Sequence, residues 1–342
     1  MLSSVQNEAK PTPSLLSNST ITAIGSYVPA RKLTNNDLAA MVETNDEWIV
    51  QRTGIKERHV AGENEFTSDL IAKAIDNMVE RYGSELSDVD YIVTATSTPD
   101  TIFPSVAAMI QAKFNIKQCG SIDIQAACAG FTAALQLANG LLLSGMYRKV
   151  LVLAADALTK ITDYNDRTTC ILFGDGAGAV LVERSSDGIG AMLGAYSNTE
   201  GDGGKHVYLS NLSPAIGNFA IQTNGKLVQN GREVYRWAVS RVSEGIRELL
   251  QQCNMKPEDI DWFVPHNANQ RIIDALCERI GFREDQALSS IAKYGNTSAA
   301  SIPLALDDAV RDGRVKTGHI LLLHGFGGGL TQAGVVLRWN LS

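Results

Sequence analysis

Residues 84–100, SELSDVDYIVTATSTPD, return in altered form as residues 255–271, MKPEDIDWFVPHNANQR. Each copy follows an amphipathic helical stretch, TSDLIAKAIDNMVERYG at 67–83 and EVYRWAVSRVSEGIRELLQQ at 233–252. Asp90 and Asp261 stand 171 positions apart. Further on, YRKVLVLAAD at 147–156 is echoed by TGHILLLHGF at 317–326, with Val150 and Ile320 separated by 170 positions. GAGAVLVER at 176–184 is then echoed by QAGVVLRW at 332–339, where Gly178 and Gly334 are only 156 apart. The offset is steady and then falls by 14, so the first copy carries an extra excursion around residues 158 to 171. Runs such as YIVTAT, VLVLAA, WFVPH and ILLLHG are continuous rather than alternating, as in sheets buried on both faces. They alternate with helical runs. Self-similarity of this kind marks a duplicated unit, and the pattern predicts two similar α/β halves, 21–188 and 189–342, packed as one globule.

The repeat draws attention to residues 122–131, IDIQAACAGF, where a β-branched run meets Cys128 and a helical stretch follows. Ser298 lies 170 positions after Cys128, so YGNTSAASIPLAL at 294–306 is expected to be the counterpart of AACAGFTAALQL at 126–137. Cys128 and Asn296 would then approach one central cleft from opposite sides. His266, in WFVPHNAN, lies at another strand end, and ligands of α/β sheets bind at the carboxyl ends of strands. A thiol at a helix start faces unpaired N–H groups and the positive end of the helix dipole. That dipole contributes roughly 0.3–2 kcal/mol, and a pKa unit is about 1.4 kcal/mol. A thiol near ~8.5 is therefore expected to fall by about one unit. Such a thiolate would form a thioester and divide an acyl transfer into two easier steps. The ordinary role for a cysteine is that of a small core residue, and Cys119, Cys170, Cys253 and Cys277 are read in that way.

The 342 residues can bury a large core, with 44% apolar and 20% charged residues, as in α/β enzymes. A net charge of −7 argues against nucleic acid as a partner of the whole surface, so an acidic partner would need a local basic patch. No apolar run approaches the length of a membrane span. Residues 1–20 are polar and lack the apolar centre of a signal peptide, and they are expected to form a mobile extension. Five cysteines without a CxxC pair suggest neither a disulfide framework nor a zinc site. A cytoplasmic protein without a metal is expected. FGDGAGAVLVE at 173–183 has GxGxG spacing followed by a strand, so it is not a dinucleotide fingerprint.

At AACAGFTAAL, VPHNANQRII, YGNTSAASIP and GFGGGLTQAG the chain resembles the β-ketoacyl-acyl-carrier-protein synthase III family, from about residue 21 to the end. The resemblance implies a thiolase-like α/β fold, its duplicated halves packed in five αβαβα layers. It implies a Cys-His-Asn triad at Cys128, His266 and Asn296. An acyl-CoA primer would acylate Cys128 and release CoA. Malonyl-carrier protein would then lose CO2, and its carbanion would attack the thioester. His266 Nε2–H and the Asn296 amide would hold the enolate oxygen, and the N–H groups of Cys128 and Gly328 the tetrahedral oxyanion. For Gly327, Gly328 and Gly329 a tight turn at positive φ is an equal reading. Asn296 could equally cap a helix. His59, His206, His319 and His324 are read as ordinary structural histidines.

By the same resemblance, Thr44, Trp48, Arg52 and Arg167 match the CoA entrance, with Trp48 stacking on adenine. Gly231, Tyr235, Ala268 and Asn269 match the pantetheine channel, with Tyr235 in place of the more usual Phe. Arg271 matches the main carrier-docking residue and Arg236 a supporting one. Asn267, Ala268, Asn269 and Gln270 complete the docking loop, where the family usually has Gln at the position of Asn267 and an apolar residue at that of Gln270. Phe103 matches a residue that crosses a homodimer interface to floor the partner's acyl pocket. The absence of a second cysteine in LHGFGGGL at 323–330 argues against a degradative thiolase. Asn at 296 rather than His argues against an elongating synthase, and a hydroxymethylglutaryl-CoA synthase would use a glutamate general base in a different setting around Cys128. A relative in secondary metabolism and a non-catalytic CoA- or carrier-binding relative are the remaining alternatives. The primer is expected to be a short acyl-CoA, straight or branched.

Overall fold

The computed structural model describes residues 17–186 and 188–341. Its first sheet contains β1 (Ser19–Tyr27), β2 (Tyr91–Ala95), β3 (Gly120–Ile124), β4 (Lys149–Ala157) and β5 (Asp175–Arg184). The second contains β6 (Met192–Thr199), β7 (Trp262–Pro265), β8 (Ile320–Gly327) and β9 (Thr331–Arg338). The first has the order β1-β5-β4-β2-β3, and the second, read from its matching edge, β6-β9-β8-β7. In each sheet two antiparallel pairings are followed by a parallel one, β4 with β2 and β8 with β7. The counterpart of β3 is reduced to one isolated parallel bridge between Phe263 and Ala287. Leu158 to Gly174 separate β4 from β5, whereas only Gly328 to Leu330 separate β8 from β9.

The helices that matter here are α1 (Asp46–Thr53), α2 (Thr67–Tyr82), α3 (Val106–Lys113), α4 (Gly130–Leu143), α5 (Gly231–Trp237), α6 (Ser243–Gln252), α7 (Gln270–Ile280) and α8 (Ser301–Arg311). Alternation along β4 shows the layering. Val150, Val152 and Ala154 pack with Phe131 and Leu135 of α4 and Ile302 and Leu306 of α8. Leu151, Leu153 and Ala155 point the other way, to Leu70, Ile71 and Ile75 of α2. Beyond the second sheet, Ile246 and Leu249 of α6 and Ile273 and Leu276 of α7 cover Phe263, Leu322 and Val336. Helices α4 and α8 thus lie between the sheets, with further helices outside each, giving five layers. Burial on both faces is why these strands read as unbroken apolar runs.

Of the stretch 1–20 expected to be mobile, residues 1–16 lie outside the described residues. Ser19 and Thr20 correct the rest, because they already belong to β1, and Ser19 Oγ donates to Asn139 at 2.7 Å.

Candidate active site

Cys128 sits in a 3-10 turn, Ala127–Ala129, that leads into α4. Ala127 has φ 45°, in the left-handed region that a side chain rarely adopts. The matching turn before α8 is Ser298–Ala300, and Ser298 has φ 51°. Ala127 is therefore the counterpart of Ser298, and Cys128 that of Ala299. This corrects the expected pairing of Cys128 with Ser298 by one residue, because the register here keeps the offset of 171 seen at Asp90 and Asp261.

His266 follows β7 and is almost wholly buried. Its Nδ1 lies 2.7 Å from Ser301 Oγ, which also accepts the Asn267 N–H at 3.2 Å. Its ring meets Phe326 edge to face at 5.3 Å. Burial pushes the imidazole down to about 3, against a weaker opposing pull from the Ser298 carbonyl, so the ring is neutral at physiological pH. Asn296 is buried, and its Oδ1 accepts the Ser298 N–H at 2.9 Å. It therefore supports the turn that begins α8, and that bond directs its amide nitrogen elsewhere. Cys128, His266, Asn296, Gly327 and Gly328 line one cleft of about 810 Å³, in the range of small-molecule sites.

The glycine loop divides its tasks. A Cβ on Gly327 would stand 2.9 Å from Cys128 Cβ and 3.0 Å from Sγ, so only glycine lets this strand end cross the thiol. Gly329 supplies the positive φ, 144°. Around Cys128 the electrostatics differ from expectation. Burial pushes the thiol up to about 12, the nearby Asp156 carboxylate raises it further, and the neighbouring Ser298 side chain lowers it in part. The helix dipole acts the other way by about one pKa unit, so burial and the dipole oppose each other at this thiol.

The cleft also brings Arg52, Gly231, Tyr235, Ala268, Asn269 and Arg271 together. Trp48 is clasped by two guanidinium groups, Arg52 Cζ at 5.4 Å and Arg167 Cζ at 4.9 Å from its ring centroid. The α1 helix that carries Trp48 and Arg52 is set by Asn45, whose side chain accepts the Trp48 N–H at 2.8 Å. The buried Thr44 Oγ1 has no hydrogen-bond partner. Asn269 caps α7 through the Arg271 N–H at 2.9 Å and donates its amide to the Arg52 carbonyl at 3.1 Å. It thereby ties the α1 end to the α7 start. Two cations that line the cleft escaped the sequence reading, Lys205 and Arg232. Arg232 adjoins Gly231 in a matched stretch and could have been noticed there. Lys205 carries no motif. With Arg52 and Arg271 they supply the local positive charge that this acidic chain lacks overall.

Arg271 is exposed, 6.0 Å over the Tyr235 ring. Arg236 is exposed and paired with Glu233 at 3.0 Å. Gln270 is half-buried and bonded to Asp274 and Ser289. Asn267 is a correction: it is wholly buried, donates to the Pro265 carbonyl at 2.9 Å and accepts the Ser290 N–H at 2.6 Å. No docking protein can touch it, and its work is to brace the loop from within. Phe103 does not reach this chain's cleft; it is 84% exposed, facing solvent before α3. Among the described residues no group of three or more His, Cys, Asp or Glu side chains is placed to hold a metal ion. No helix among them is long and apolar enough to cross a membrane.

The comparisons with known proteins agree with this geometry. Residues 122–201 match the family model 3-oxoacyl-[acyl-carrier-protein] synthase III, and residues 250–339 its C-terminal model. The chain is 52% identical over 325 residues to β-ketoacyl-[acyl-carrier-protein] synthase III 2 of Bacillus cereus, covering 95% of this chain and 99% of that one. It superposes on the β-ketoacyl-[acyl-carrier-protein] synthase III crystal structure from Thermus thermophilus with a TM-score of 0.90 at 44% identity, covering 94% and 99% of the two chains. A priming β-ketosynthase from the R1128 polyketide pathway superposes with a TM-score of 0.87 at 34% identity, covering 96% and 99%. Two sheets of one strand order, a cysteine at a central helix start, and a histidine and asparagine lining the same cleft therefore have a family: the chain belongs to the 3-oxoacyl-[acyl-carrier-protein] synthase III family of condensing acyltransferases.

Proposed function

We propose that this enzyme starts fatty-acid synthesis by condensing a short acyl-CoA with malonyl-acyl-carrier protein, through a thioester on Cys128. The observation that carries the reading is that Cys128, His266, Asn296 and Gly328 line one cleft. The primer thioester lies along the cleft, its phosphates among Arg52, Lys205 and Arg232 and its adenine against Trp48 once the Arg167 clasp opens. Cys128 Sγ attacks the thioester carbon, the oxyanion is held by the N–H groups of Cys128 and Gly328, and CoA leaves. Malonyl-carrier protein then docks at Arg271, with Arg236 beside it.

Decarboxylation places negative charge on the malonyl thioester oxygen. The buried His266 is neutral, and Ser301 Oγ takes the Asn267 N–H, which leaves the Ser301 hydroxyl hydrogen for Nδ1. The ring proton then sits on Nε2 and is free to donate to the enolate. Asn296, its Oδ1 engaged by Ser298, offers the amide N–H groups. Two neutral donors stabilise the enolate without trapping it as an acid would. The carbanion attacks the Cys128 thioester, and the β-ketoacyl-carrier protein departs.

The reading includes a homodimer. β3 is the last strand of its sheet, with Ile122 45% exposed, and unpaired edges of this kind invite a partner strand. Asp123 of that strand caps α3 through the N–H groups of Val106 and Ala107 at 2.7 and 2.8 Å, which fixes the Phe103 loop beside the edge. In the proposed dimer, Phe103 enters the partner's acyl pocket. Five free thiols fit a reducing, cytoplasmic setting.

The test separates the half-reactions. His266→Ala and Asn296→Ala are expected to accept the primer from acyl-CoA yet release CO2 from malonyl-carrier protein about 10²–10³-fold more slowly. Unchanged CO2 release in both variants contradicts the assignment.

A further inference from the structure

Arg58, in the short strand Glu57–His59, is wholly buried, and the condensation described above does not use it. Its guanidinium, always charged, faces neutral acceptors. Nη1 donates to the Leu33 carbonyl at 3.2 Å and to Asn35 Oδ1 at 2.8 Å, and Nη2 donates to the Ile171 carbonyl at 2.6 Å. Nε has no partner. A cation buried against neutral oxygens costs free energy that an apolar side chain of similar size would not. That cost points to the geometry the planar fork imposes. On one side, Asn35 Nδ2 donates to Asp46 Oδ1 and to the Ile55 carbonyl, both at 2.8 Å, and so brackets α1. On the other, Ile171 lies near the end of the excursion between β4 and β5, and the residues after it hold Asn296. The Asn296 N–H donates to the Leu172 carbonyl at 2.8 Å, and its carbonyl accepts the Gly174 N–H at 3.0 Å. Phe173 and Asn296 thereby form an isolated parallel bridge. The stem of Arg58 packs where these two segments cross, since a Cβ on Gly174 or on Gly295 would stand 3.1 Å from Arg58 Cβ.

We infer that Arg58 is a positioning residue for Asn296, acting through the Ile171 carbonyl, and that it ties the decarboxylation donor to the helix at the cleft entrance. This rests on the reading of Asn296 as that donor. The Asn296 backbone is set by Leu172 and Gly174, and its Oδ1 by the Ser298 N–H. With these fixed, the direction of the amide nitrogen is fixed as well. The segment that sets the backbone is itself anchored one residue earlier, where Ile171 meets the guanidinium. A forked donor reaches Ile171 and Asn35 at once. Lysine at this place would keep the charge, but as a point donor on a flexible stem it could not span both. Cys128 is carried by a different element, the turn that leads into α4, so acylation does not pass through this strut. The two half-reactions therefore respond differently to its loss.

The rival account makes Arg58 a support of the fold alone. The full-length Arg58→Lys variant separates the two. Under the positioning role it releases CO2 from malonyl-carrier protein about 10²-fold more slowly, the scale of a misplacement near 1 Å. Acylation of Cys128 at saturating acetyl-CoA stays at the wild-type rate. Combined with Asn296→Ala, Arg58→Lys should slow CO2 release by no more than about twofold beyond Asn296→Ala alone, because residues acting as one unit are not additive. Under the rival account both half-reactions fall together with the folded fraction, and the losses in the double variant multiply. Should Arg58→Lys fail to fold, Asn35→Ala removes one anchor of the fork and is expected to show the same split between the half-reactions. Equal losses in the two half-reactions, multiplied losses in the double variant, or wild-type CO2 release in Arg58→Lys overturns the positioning role. Asn296→Ala run beside them keeps the two claims apart. If it slows CO2 release while Arg58→Lys does not, only the positioning role fails, whereas unchanged release in Asn296→Ala overturns the proposed role of Asn296 and the inference with it.

Discussion

Gly327 crosses Cys128 so closely that a Cβ there would stand 2.9 Å from the Cys128 Cβ and 3.1 Å from its backbone nitrogen. The end of β8 thus fixes both the thiol and the Cys128 N–H proposed to face the oxyanion. Gly327→Ala must displace one or the other, and a shift near 1 Å costs about 10²-fold in rate. Gly328→Ala meets nothing closer than Val207 Cγ1 at 3.3 Å, so its loss should be smaller. Stopped-flow acylation of both variants checks the order, and equal losses would count against it.

The clasp on Trp48 makes a separate prediction about affinity. Trp48→Ala should raise KM for acyl-CoA about tenfold, the worth of an aromatic stack of roughly 1–1.5 kcal/mol. It should do little to KM for an acyl-pantetheine that lacks the nucleotide. Steady-state kinetics with both primers test this, and equal effects on the two would place Trp48 in the core rather than at the entrance.

Asn267 belongs to stability rather than to docking. Asn267→Ala leaves the Ser290 N–H and the Pro265 carbonyl without their partner, and a buried unpaired group costs about 1–3 kcal/mol. Urea unfolding should show that loss. Arg271→Glu should instead raise KM for malonyl-carrier protein and flatten its salt dependence.

His324 gives a pH signature. It is wholly buried, and burial lowers its imidazole to about 4 despite the bond to Gln332. Unfolding restores an ordinary value near ~6.5. Between those values the unfolded chain binds a proton that the folded one does not, so His324 costs stability as pH falls from 6.5 toward 4. The slope is about 1.4 kcal/mol per pH unit. Wild type minus His324→Gln, compared by urea unfolding at pH 6.5 and 4.5, should show that loss, and parallel curves would refute it.

Much of this could be read from the chain because duplication leaves a repeat in the primary structure. The paired strand runs, the excursion after β4 and the Cys128, His266 and Asn296 positions are all visible as matched segments. The bridge at Phe263 and Ala287 was hidden, since a strand reduced to one pairing has no periodicity. The pairing of Cys128 with Ser298 missed by one residue because a later offset was applied to an earlier junction. The docking role that the resemblance implies for Asn267 fails since membership of a loop says nothing of which way a side chain turns after β7. Asp156 and Ala299 are 143 positions apart and meet only when β4 and the α8 start pack, a relation no local pattern records.

The most direct test of the account is intact mass measurement after brief incubation with acyl-CoAs of increasing length and branching, beside a Cys128→Ala control. One acyl group is expected on the wild type from short primers and none on the control. An adduct that persists in Cys128→Ala, or none from any acyl-CoA on the wild type, would contradict the central claim that Cys128 carries the primer.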